Sequence, residues 1–209
     1  MTYSIVAVDE KTGECGSAVA SCSTAVGGTV TFSKTGVGVI NTQAHAHLAI
    51  GTRVLDEMDE GAAPHVALEQ VLGDDPDAEK RQFLAIDVKG RRGAWTGRDC
   101  AREHFHRFGD GCVAAGNYLV SRQVVVKMVE AYEGGRDEVL EIRLLEALRA
   151  GERAGGDSRG QRAAAVIVVP GPDDEVAINL DVRVDDHDRP LDELERLYRV
   201  FRREFPVQA

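Results

Sequence analysis

The chain has 209 residues, of which 43% are hydrophobic and 29% are charged, and its formal net charge is −10. This length supports one substantial core, and the composition is ordinary for a globular protein. An acidic surface repels phosphate, which argues against nucleic acid or an anionic membrane as a partner. We expect one domain over residues 1–209.

The cysteines and the first residues indicate the cytoplasm. No secretory leader is predicted, because charged residues begin at Asp9 and interrupt any apolar segment. The longest apolar run, Ala163 to Val169, is too short to span a bilayer. The four cysteines form no C-x-x-C pair and no metal-ligand spacing, so we expect reduced thiols and no cofactor; they are Cys15, Cys22, Cys100 and Cys112.

The first element is a strand, Thr2–Val8, with apolar residues on both faces. A turn at Glu10–Gly13 leads into a second strand, Cys15–Ala20. A strand that is apolar on both sides is typical of the interior of a sheet. The sequence therefore predicts that Thr2–Val8 is central and not at an edge.

Thr2 has a second possible role, because it directly follows the initiator Met. If Met1 is removed, Thr2 carries a hydroxyl nucleophile beside a free α-amine that can act as its base. Ser4 lies on the same face of the strand and could orient either group. Thr is also a good strand residue, so the pattern alone leaves both interpretations open.

The next elements follow a Gly- and Thr-rich passage, Ser21–Thr31. Periodicity and breaker residues predict a strand, two helices and two more strands: Val37–Ala44, Leu48–Glu60, Pro64 to about Leu72, Gln82–Val88 and Arg92–Thr96.

The second half begins with a less regular passage, Gly97–Asp110. A short strand, two helices, two strands and a final helix are then predicted: Cys112–Ala115, about Arg122–Glu133, about Asp137–Ala150, Ala163–Val169, Val176–Val184, and a helix from near Pro190. The last helix is expected to bury Leu191, Leu194, Leu197, Tyr198, Phe201 and Phe205. Hairpin links and blocks of helices favour a layered α+β fold with mainly antiparallel sheets.

Two charged segments stand out near the end of the chain. The loop Gly155-Gly156-Asp157-x-Arg159-Gly160 lacks the P-loop ending and is equally typical of a turn. Arg183 and Asp185 share one face of a predicted strand, which is either a solvated face or part of a paired network. We expect Asp157 and Arg159 to lie close to Arg183 or Asp185, so that Arg183→Ala would clearly lower the melting temperature.

The histidines form two His-x-His pairs, His45/His47 and His104/His106, and His187 follows Asp185 and Asp186. Together they could form a metal site, but neither pair has the spacing of a known metal motif, and hydrogen-bonded histidines are commoner. Ser21, Cys22 and Ser23 could supply nucleophiles near His45, but the chain has no G-x-S-x-G motif.

Taken together, these motifs resemble one family of bacteria and archaea, domain of unknown function 1028, which is placed among the proteins similar to N-terminal-nucleophile (Ntn) hydrolases. The resemblance covers nearly the whole chain. Its motifs are Thr2-Tyr3-Ser4-Ile5-Val6-Ala7, Ala18-Val19-Ala20-Ser21 with Ala25-Val26-Gly27, Thr42-Gln43-Ala44, Arg81-Gln82, Thr96-Gly97, Gly116-Asn117, the Gly155–Gly160 loop, and Arg183-Val184-Asp185-Asp186-His187.

The resemblance implies a four-layer αββα sandwich of two mainly antiparallel sheets. It also implies hydrolysis of a C–N amide bond by an N-terminal nucleophile, here Thr2. Asn117 or backbone N–H groups would stabilise the oxyanion. We expect a small-molecule substrate and a homo-oligomer. The candidate substrate-binding residues are Gln43, Asp157, Arg159, Arg183, Asp185, Asp186 and His187.

The chain also departs from the family pattern. Ala115 stands where the family usually has Gln, and Ala163 where it usually has Ser, so polar roles at both positions are absent or moved. We also expect this chain to lack the C-terminal extension of some longer relatives. Two alternatives to the amidohydrolase stay open: a catalytically silent binding or assembly protein on the same fold, and a metal-dependent hydrolase using the histidines.

Overall fold

Two antiparallel sheets pack face to face in the computed structural model, which describes residues 2–172 and 180–206. The larger sheet has the spatial order β10 (Leu180–Val184), β9 (Ala163–Val169), β2 (Cys15–Ser21), β1 (Thr2–Val8), β8 (Cys112–Asn117) and β7 (Phe105–Gly109). The smaller sheet has the order β3 (Thr31–Lys34), β4 (Gly38–Ala44), β5 (Arg81–Asp87) and β6 (Arg92–Thr96). The prediction that Thr2–Val8 is an interior strand is confirmed, because β1 pairs with β2 and β8.

Helices cover the outer faces of both sheets. The elements are α1 (Gly27–Val30), α2 (Leu48–Asp59), α3 (Pro64–Gly73), α4 (Gln123–Gly134), α5 (Leu140–Arg153) and α6 (Pro190–Glu204), with a 3-10 turn at Ala78–Lys80. α2 and α3 pack on the smaller sheet, α4 and α5 on the larger, and α6 on β9 and β10. This order of layers confirms the expected αββα sandwich. Among the described residues, no helix is long and apolar enough to cross a membrane.

The two faces of β1 serve two different cores, as its alternation predicts. Tyr3, Ile5 and Ala7 pack against α4 and α5, in a cluster that includes Met128 and Leu144. The other face lies between the sheets. The interior strand therefore joins the helical layer to the space between the two sheets.

That space between the sheets is apolar at one end of β1 and polar at the other. Val6 and Val8 pack there against Leu84 and Ile86 of β5. Thr2 and Ser4 lie on the same face of β1, at its beginning, and both are buried. Buried hydroxyls are costly unless they are hydrogen-bonded, so the beginning of β1 must be surrounded by polar partners.

Some elements were not predicted. α1 and β3 lie in or next to the Gly- and Thr-rich passage, and β7 lies in the passage that was expected to be less regular. The prediction that Phe205 is buried is wrong: it is 39% exposed, because α6 ends at Glu204. Of the predicted strand Val176–Val184, β10 accounts for Leu180–Val184, and residues 176–179 lie outside the described part of the chain.

Leu144→Ala should lower the free energy of unfolding by about 2–5 kcal/mol, because it leaves a cavity in the core between α5 and the larger sheet. Leu48→Ala is the matched control, since Leu48 is 53% exposed and its loss should change stability by less than about 0.5 kcal/mol. Urea denaturation of both variants measures the difference. Equal losses of stability would contradict this assignment of the core.

Candidate functional site

The beginning of β1 is surrounded by the ends of two neighbouring strands. Thr2 is the register partner of Ser21 on β2 and of Asn117 on β8. Thr2 is only 5% exposed, and its Oγ1 donates a hydrogen bond to Ser21 Oγ over 3.3 Å. Ser21 Oγ also accepts a bond from the backbone N–H of Ser23, at 3.0 Å. Side chains of register partners share one face, so the three polar groups lie together between the sheets.

A chain of buried hydrogen bonds runs from this cluster across to the smaller sheet. Ser4 Oγ donates to Gln43 Oε1 at 2.8 Å, and Gln43 Nε2 donates to Gln82 Oε1 at 2.8 Å. Asn117 Nδ2 donates to the same Gln82 oxygen at 3.1 Å. All four side chains are fully buried. Gln82 therefore connects both sheets to the neighbourhood of Thr2.

The series of hydrogen bonds continues beyond Gln82 to a histidine. Gln82 Nε2 donates to Thr96 Oγ1 at 3.0 Å, and this hydroxyl lies 2.8 Å from His106 Nδ1. The His106 ring makes an edge contact with Phe108, with 5.7 Å between ring centroids. Burial lowers the pKa of the imidazole from its ordinary value.

Sequence reasoning missed Gln82, Thr96 and His106 as members of this site. Arg81-Gln82 and Thr96-Gly97 served only as marks of a family resemblance, and His106 only as a candidate metal ligand. One signal was present: Gln82 shares a strand face with Leu84 and Ile86, and a polar residue on such a face needs a buried partner.

One buried atom beside Thr2 has no hydrogen-bond partner among the described residues. It is Asn117 Oδ1, on a side chain whose nitrogen is bonded to Gln82. Leaving a buried acceptor unpaired costs about 1–3 kcal/mol. The neighbourhood of Thr2 therefore contains an acceptor to which a donor group can bind.

Backbone strain is concentrated around the same strand ends. Ala44 ends β4 with φ 65°, Tyr118 directly follows β8 with φ 54°, and Ala25 lies between β2 and α1 with φ 54°; Arg102, with φ 50°, lies in the loop before β7. Non-glycine residues are uncommon in this left-handed region, and each costs of order 1–3 kcal/mol. Such strain clusters at functional sites. Its position here supports a site at the beginning of β1.

Asp157 and Arg159 lie at the edge of this cluster. Asp157 accepts hydrogen bonds from the backbone N–H groups of Cys22 (3.1 Å) and Arg159 (2.8 Å), and burial raises the pKa of its carboxyl. The Arg159 guanidinium lies over the Tyr118 ring, 4.7 Å from its centroid. The loop is thus fastened to the residues that directly follow Ser21 and Asn117.

The expected buried network between this loop and β10 is wrong. Arg183 pairs with Asp185 at 3.4 Å, but the two side chains are 48% and 51% exposed. Within residues 2–172 and 180–206, no hydrogen bond or ion pair joins Asp157 or Arg159 to Arg183 or Asp185. The smaller sheet has four strands against six, and among the described residues Arg183 on the polar face of β10 lies beside Gly27 and Gly28 of the short helix α1.

Asp186 and His187 lie on the surface beside the end of β2. Asp186 forms an exposed ion pair with Arg162 at 2.7 Å. The backbone N–H of His187 donates to Arg162 O at 2.7 Å, and the Arg162 N–H donates to Ser21 O at 2.9 Å. These backbone bonds place His187 near the end of β2 without bringing its side chain to Thr2.

The histidines do not come together. His45 and His47 are exposed, and His104 Nδ1 lies 2.7 Å from the Arg102 carbonyl oxygen. In the described part of the chain, no group of three or more His, Cys, Asp or Glu side chains could hold a metal ion. The histidine-based metal hydrolase therefore has no assembled ligand set among these residues.

Comparison with known proteins identifies one family. The sequence model of a family of unknown function (DUF1028) matches residues 2–194. A crystal structure of protein SPO2555 from Silicibacter pomeroyi, assigned to the same family, is 33% identical with a TM-score of 0.88, over 96% of this chain and 89% of that chain. No curated protein matches the chain.

Two structures of Anbu, the ancestral beta-subunit, are more distantly similar. The one from Yersinia bercovieri is 12% identical with a TM-score of 0.42, over 99% of each chain. A mutant from Hyphomicrobium sp. strain MC1 is 10% identical with a TM-score of 0.45, over 100% of this chain and 98% of that chain.

Arg183→Ala should lower the free energy of unfolding by less than about 1 kcal/mol, because its ion pair is exposed. Arg81→Ala is the contrasting variant: Arg81 makes a forked ion pair with Asp75, and the two side chains are 3% and 7% exposed. Breaking this buried pair should cost about 3–5 kcal/mol. Thermal denaturation compares the two variants, and a larger loss for Arg183→Ala would show that its charge is paired in the fold.

Burial of His106 should make stability depend on pH. The pKa of this imidazole is lower in the folded chain than its ordinary value of about 6.5, so the unfolded chain takes up the proton first as the pH falls. The contribution of neutral, buried His106 to the free energy of unfolding is complete above about pH 6.5 and is lost progressively below that pH. His106→Gln should therefore lose less stability than the wild type between about pH 7 and pH 5.

Urea denaturation at both pH values measures this difference. The exposed His187→Gln variant controls for the substitution itself. Equal pH dependence in wild type and His106→Gln would show that His106 is not held neutral.

Proposed function

This chain belongs to the family of unknown function DUF1028, and we propose its function from the site itself: an amidohydrolase with Thr2 as its N-terminal nucleophile. The substrate class is a small molecule with a C–N amide bond. The reaction begins when Thr2 becomes the first residue of the processed chain.

The observation that carries this proposal is the position of Thr2. It is the first residue of an interior strand, held on both sides by β2 and β8, at the polar end of the space between the sheets. Removing Met1 would create an α-amine at this point, beside the Thr2 hydroxyl. Rigid strands hold catalytic groups more precisely than loops do, which favours this position for a nucleophile.

The proposed reaction proceeds in two stages. Thr2 Oγ attacks the amide carbonyl carbon, and its proton passes to the α-amine of Thr2 directly or through one water. As the C–N bond breaks, the leaving amine takes that proton and an ester to Thr2 remains. Water then hydrolyses the ester and restores the hydroxyl. An ordinary α-amine has a pKa of about 7.7–8.0, so a fraction of it is already neutral near pH 7 and can act as the base.

The neighbours of Thr2 divide the remaining roles. Ser4 is hydrogen-bonded to Gln43, and Gln43 is hydrogen-bonded to Gln82, so we assign both to positioning and not to substrate contact. One of the two N–H groups of Asn117 Nδ2 is committed to Gln82, so we propose backbone N–H groups as the main oxyanion donors. One such donor is typically worth about 2.7–4 kcal/mol of transition-state stabilisation.

The proposed substrate-binding residues lie at the edge of the site. Asp157 and Arg159 are fastened beside the residues that follow Ser21 and Asn117, and the Arg159 side chain is partly exposed. Arg159 is therefore the cation that we propose contacts the substrate. Asp186 and His187 are further candidates near the end of β2, whereas Arg183 and Asp185 are not retained because they face solvent.

The cytoplasm is the location we propose, because the cysteines are unpaired and three of the four are buried. Burial raises the pKa of the Cys15 and Cys112 thiols to about 12, so these thiols are unreactive. Association of this chain with further copies stays a prediction, which gel filtration with light scattering would check.

Covalent labelling tests the nucleophile without knowledge of the substrate. Protein with a verified Thr2 N-terminus, treated with a hydroxyl-directed β-lactone, should take up one label, located on Thr2 by peptide mass spectrometry. Thr2→Ala and a form that retains Met1 should lose this label, and Thr2→Ser should keep it. Thr52→Ala is the matched control, because Thr52 is an exposed hydroxyl on α2.

Three outcomes would contradict the proposal. A label on another residue, or the absence of a label on processed wild-type protein, would remove Thr2 as the nucleophile. Retention of Met1 in protein made without a tag, found by intact mass, would instead favour the catalytically silent binding protein.

A further inference from the structure

The Gln82 side-chain amide can take only one orientation. Its Nε2 lies 3.1 Å from Gly116 O and 3.3 Å from Phe105 O, and backbone carbonyl oxygens can only accept hydrogen bonds. Turning the amide over would place its oxygen against these two carbonyls. The larger sheet therefore determines which end of the Gln82 amide carries the donor.

The orientation of the Gln82 amide also determines which atoms donate and which accept in the next side chains toward Thr2. Gln82 Oε1 can only accept, so Gln43 and Asn117 must both present their nitrogen atoms to it. Gln43 then presents its oxygen to Ser4, whose hydroxyl must donate. Two acceptors result beside Thr2: the lone pairs of Ser4 Oγ, and Asn117 Oδ1, which has no partner among the described residues.

The orientation of the Gln82 amide also determines the directions of the hydrogen bonds on the side away from Thr2. Thr96 Oγ1 accepts from Gln82 Nε2, so its own hydrogen is available to His106 Nδ1. A neutral imidazole that accepts at Nδ1 carries its proton at Nε2. The hydrogen bonds therefore all run in one direction, from Ser4 through Gln43, Gln82 and Thr96 to His106.

We propose that Gln82 is the positioning residue of the Thr2 site, because it makes Asn117 and Ser4 hydrogen-bond acceptors there, with Asn117 Oδ1 holding the α-amine of processed Thr2. This inference rests on the proposed function only in so far as Met1 is removed. It assigns to Asn117 the binding of an amine in place of an oxyanion. It also places Thr96 and His106 in the same hydrogen-bond network, on the side of Gln82 away from Thr2.

The α-amine is the donor that fits this place. Asn117 and Thr2 are register partners on adjacent strands, and their side chains share one face. The amine would supply two or three N–H donors at the beginning of β1, where a buried acceptor is otherwise unpaired. Holding the amine beside the hydroxyl of the same residue would also keep the base within reach of the proton that it removes.

The first arm of the test requires no catalysis. Nitrogen-15 NMR of the histidine rings at pH 8 should show His106 as the Nε2–H tautomer in wild-type protein. Gln82→Met should give a mixture of tautomers, because the Thr96 hydroxyl then loses the donor that orients it. Gln70→Met, on an exposed face of α3, is the control. If Gln82→Met does not fold, Thr96→Val replaces it and should remove the same preference.

The second arm measures the α-amine of processed protein by NMR titration. Asn117→Leu removes the acceptor and should increase the acid dissociation constant of the α-ammonium about tenfold, as expected for the loss of a hydrogen bond to a charged group. Asn117→Asp keeps an acceptor and should not produce this increase. Near-ultraviolet circular dichroism checks that each variant is folded.

Three results would overturn the inference: the Nδ1–H tautomer in wild type, an unchanged tautomer in both Gln82→Met and Thr96→Val, or an unchanged dissociation constant in Asn117→Leu. These results are independent of the labelling of Thr2. If Thr2 takes no label while both NMR results hold, the positioning role stands and the proposed function fails. If Thr2 is labelled and the NMR results fail, the reverse is true.

Discussion

The arrangement of the site depends on the contact between one glutamine of the smaller sheet and the backbone of the larger sheet. Gln82 donates to the Gly116 and Phe105 carbonyls, and through its oxygen it accepts from both sheets. In a space of low dielectric such bonds are strong, and an unpaired member is costly. Gln82 therefore helps to hold the polar ends of the two sheets together, alongside the bond between Ser4 and Gln43, and it sets the donor or acceptor character of the groups near Thr2.

This polar end is supported by the apolar end of the same space. Val6 and Val8 continue the face of β1 that carries Thr2 and Ser4, and they pack against Leu84 and Ile86 on the face of β5 that carries Gln82. The burial of these side chains stabilises the distance between the sheets that the hydrogen bonds require. It also helps to offset the strained backbone at the strand ends.

Local patterns in the sequence predicted the helices and strands better than the contacts between them. The alternation along Thr2–Val8 gave an interior strand and its two faces, because a period of two is a property of the strand itself. The passage around α1 was not recognised, since its glycines and threonines are typical of loops. The short edge strand β7 was not predicted for a related reason: its charged and aromatic residues do not alternate cleanly.

The candidate site was predictable only in part. Thr2 was found from its place directly after Met1, but its pairing with Asn117 depends on the register of two strands that are far apart in sequence. The series of hydrogen bonds from Gln43 to His106 depends on how closely the two sheets approach each other, which no local pattern in the sequence encodes. Exposure of the Arg183 face follows from the unequal widths of the sheets, and that difference too exists only in three dimensions.

The central position of β1 has a consequence for the timing of protein synthesis. If Thr2 acts as proposed, Met1 must be removed by a peptidase, and Thr2 is almost completely buried once the sheet is complete. One of its two neighbours, β8, leaves the ribosome on the order of ten seconds after β1 at ordinary rates of translation. During that interval the N-terminus cannot yet be enclosed by β8. The same pairing that buries the nucleophile therefore gives the processing enzyme a limited period of access, which closes when Asn117 takes its place beside Thr2.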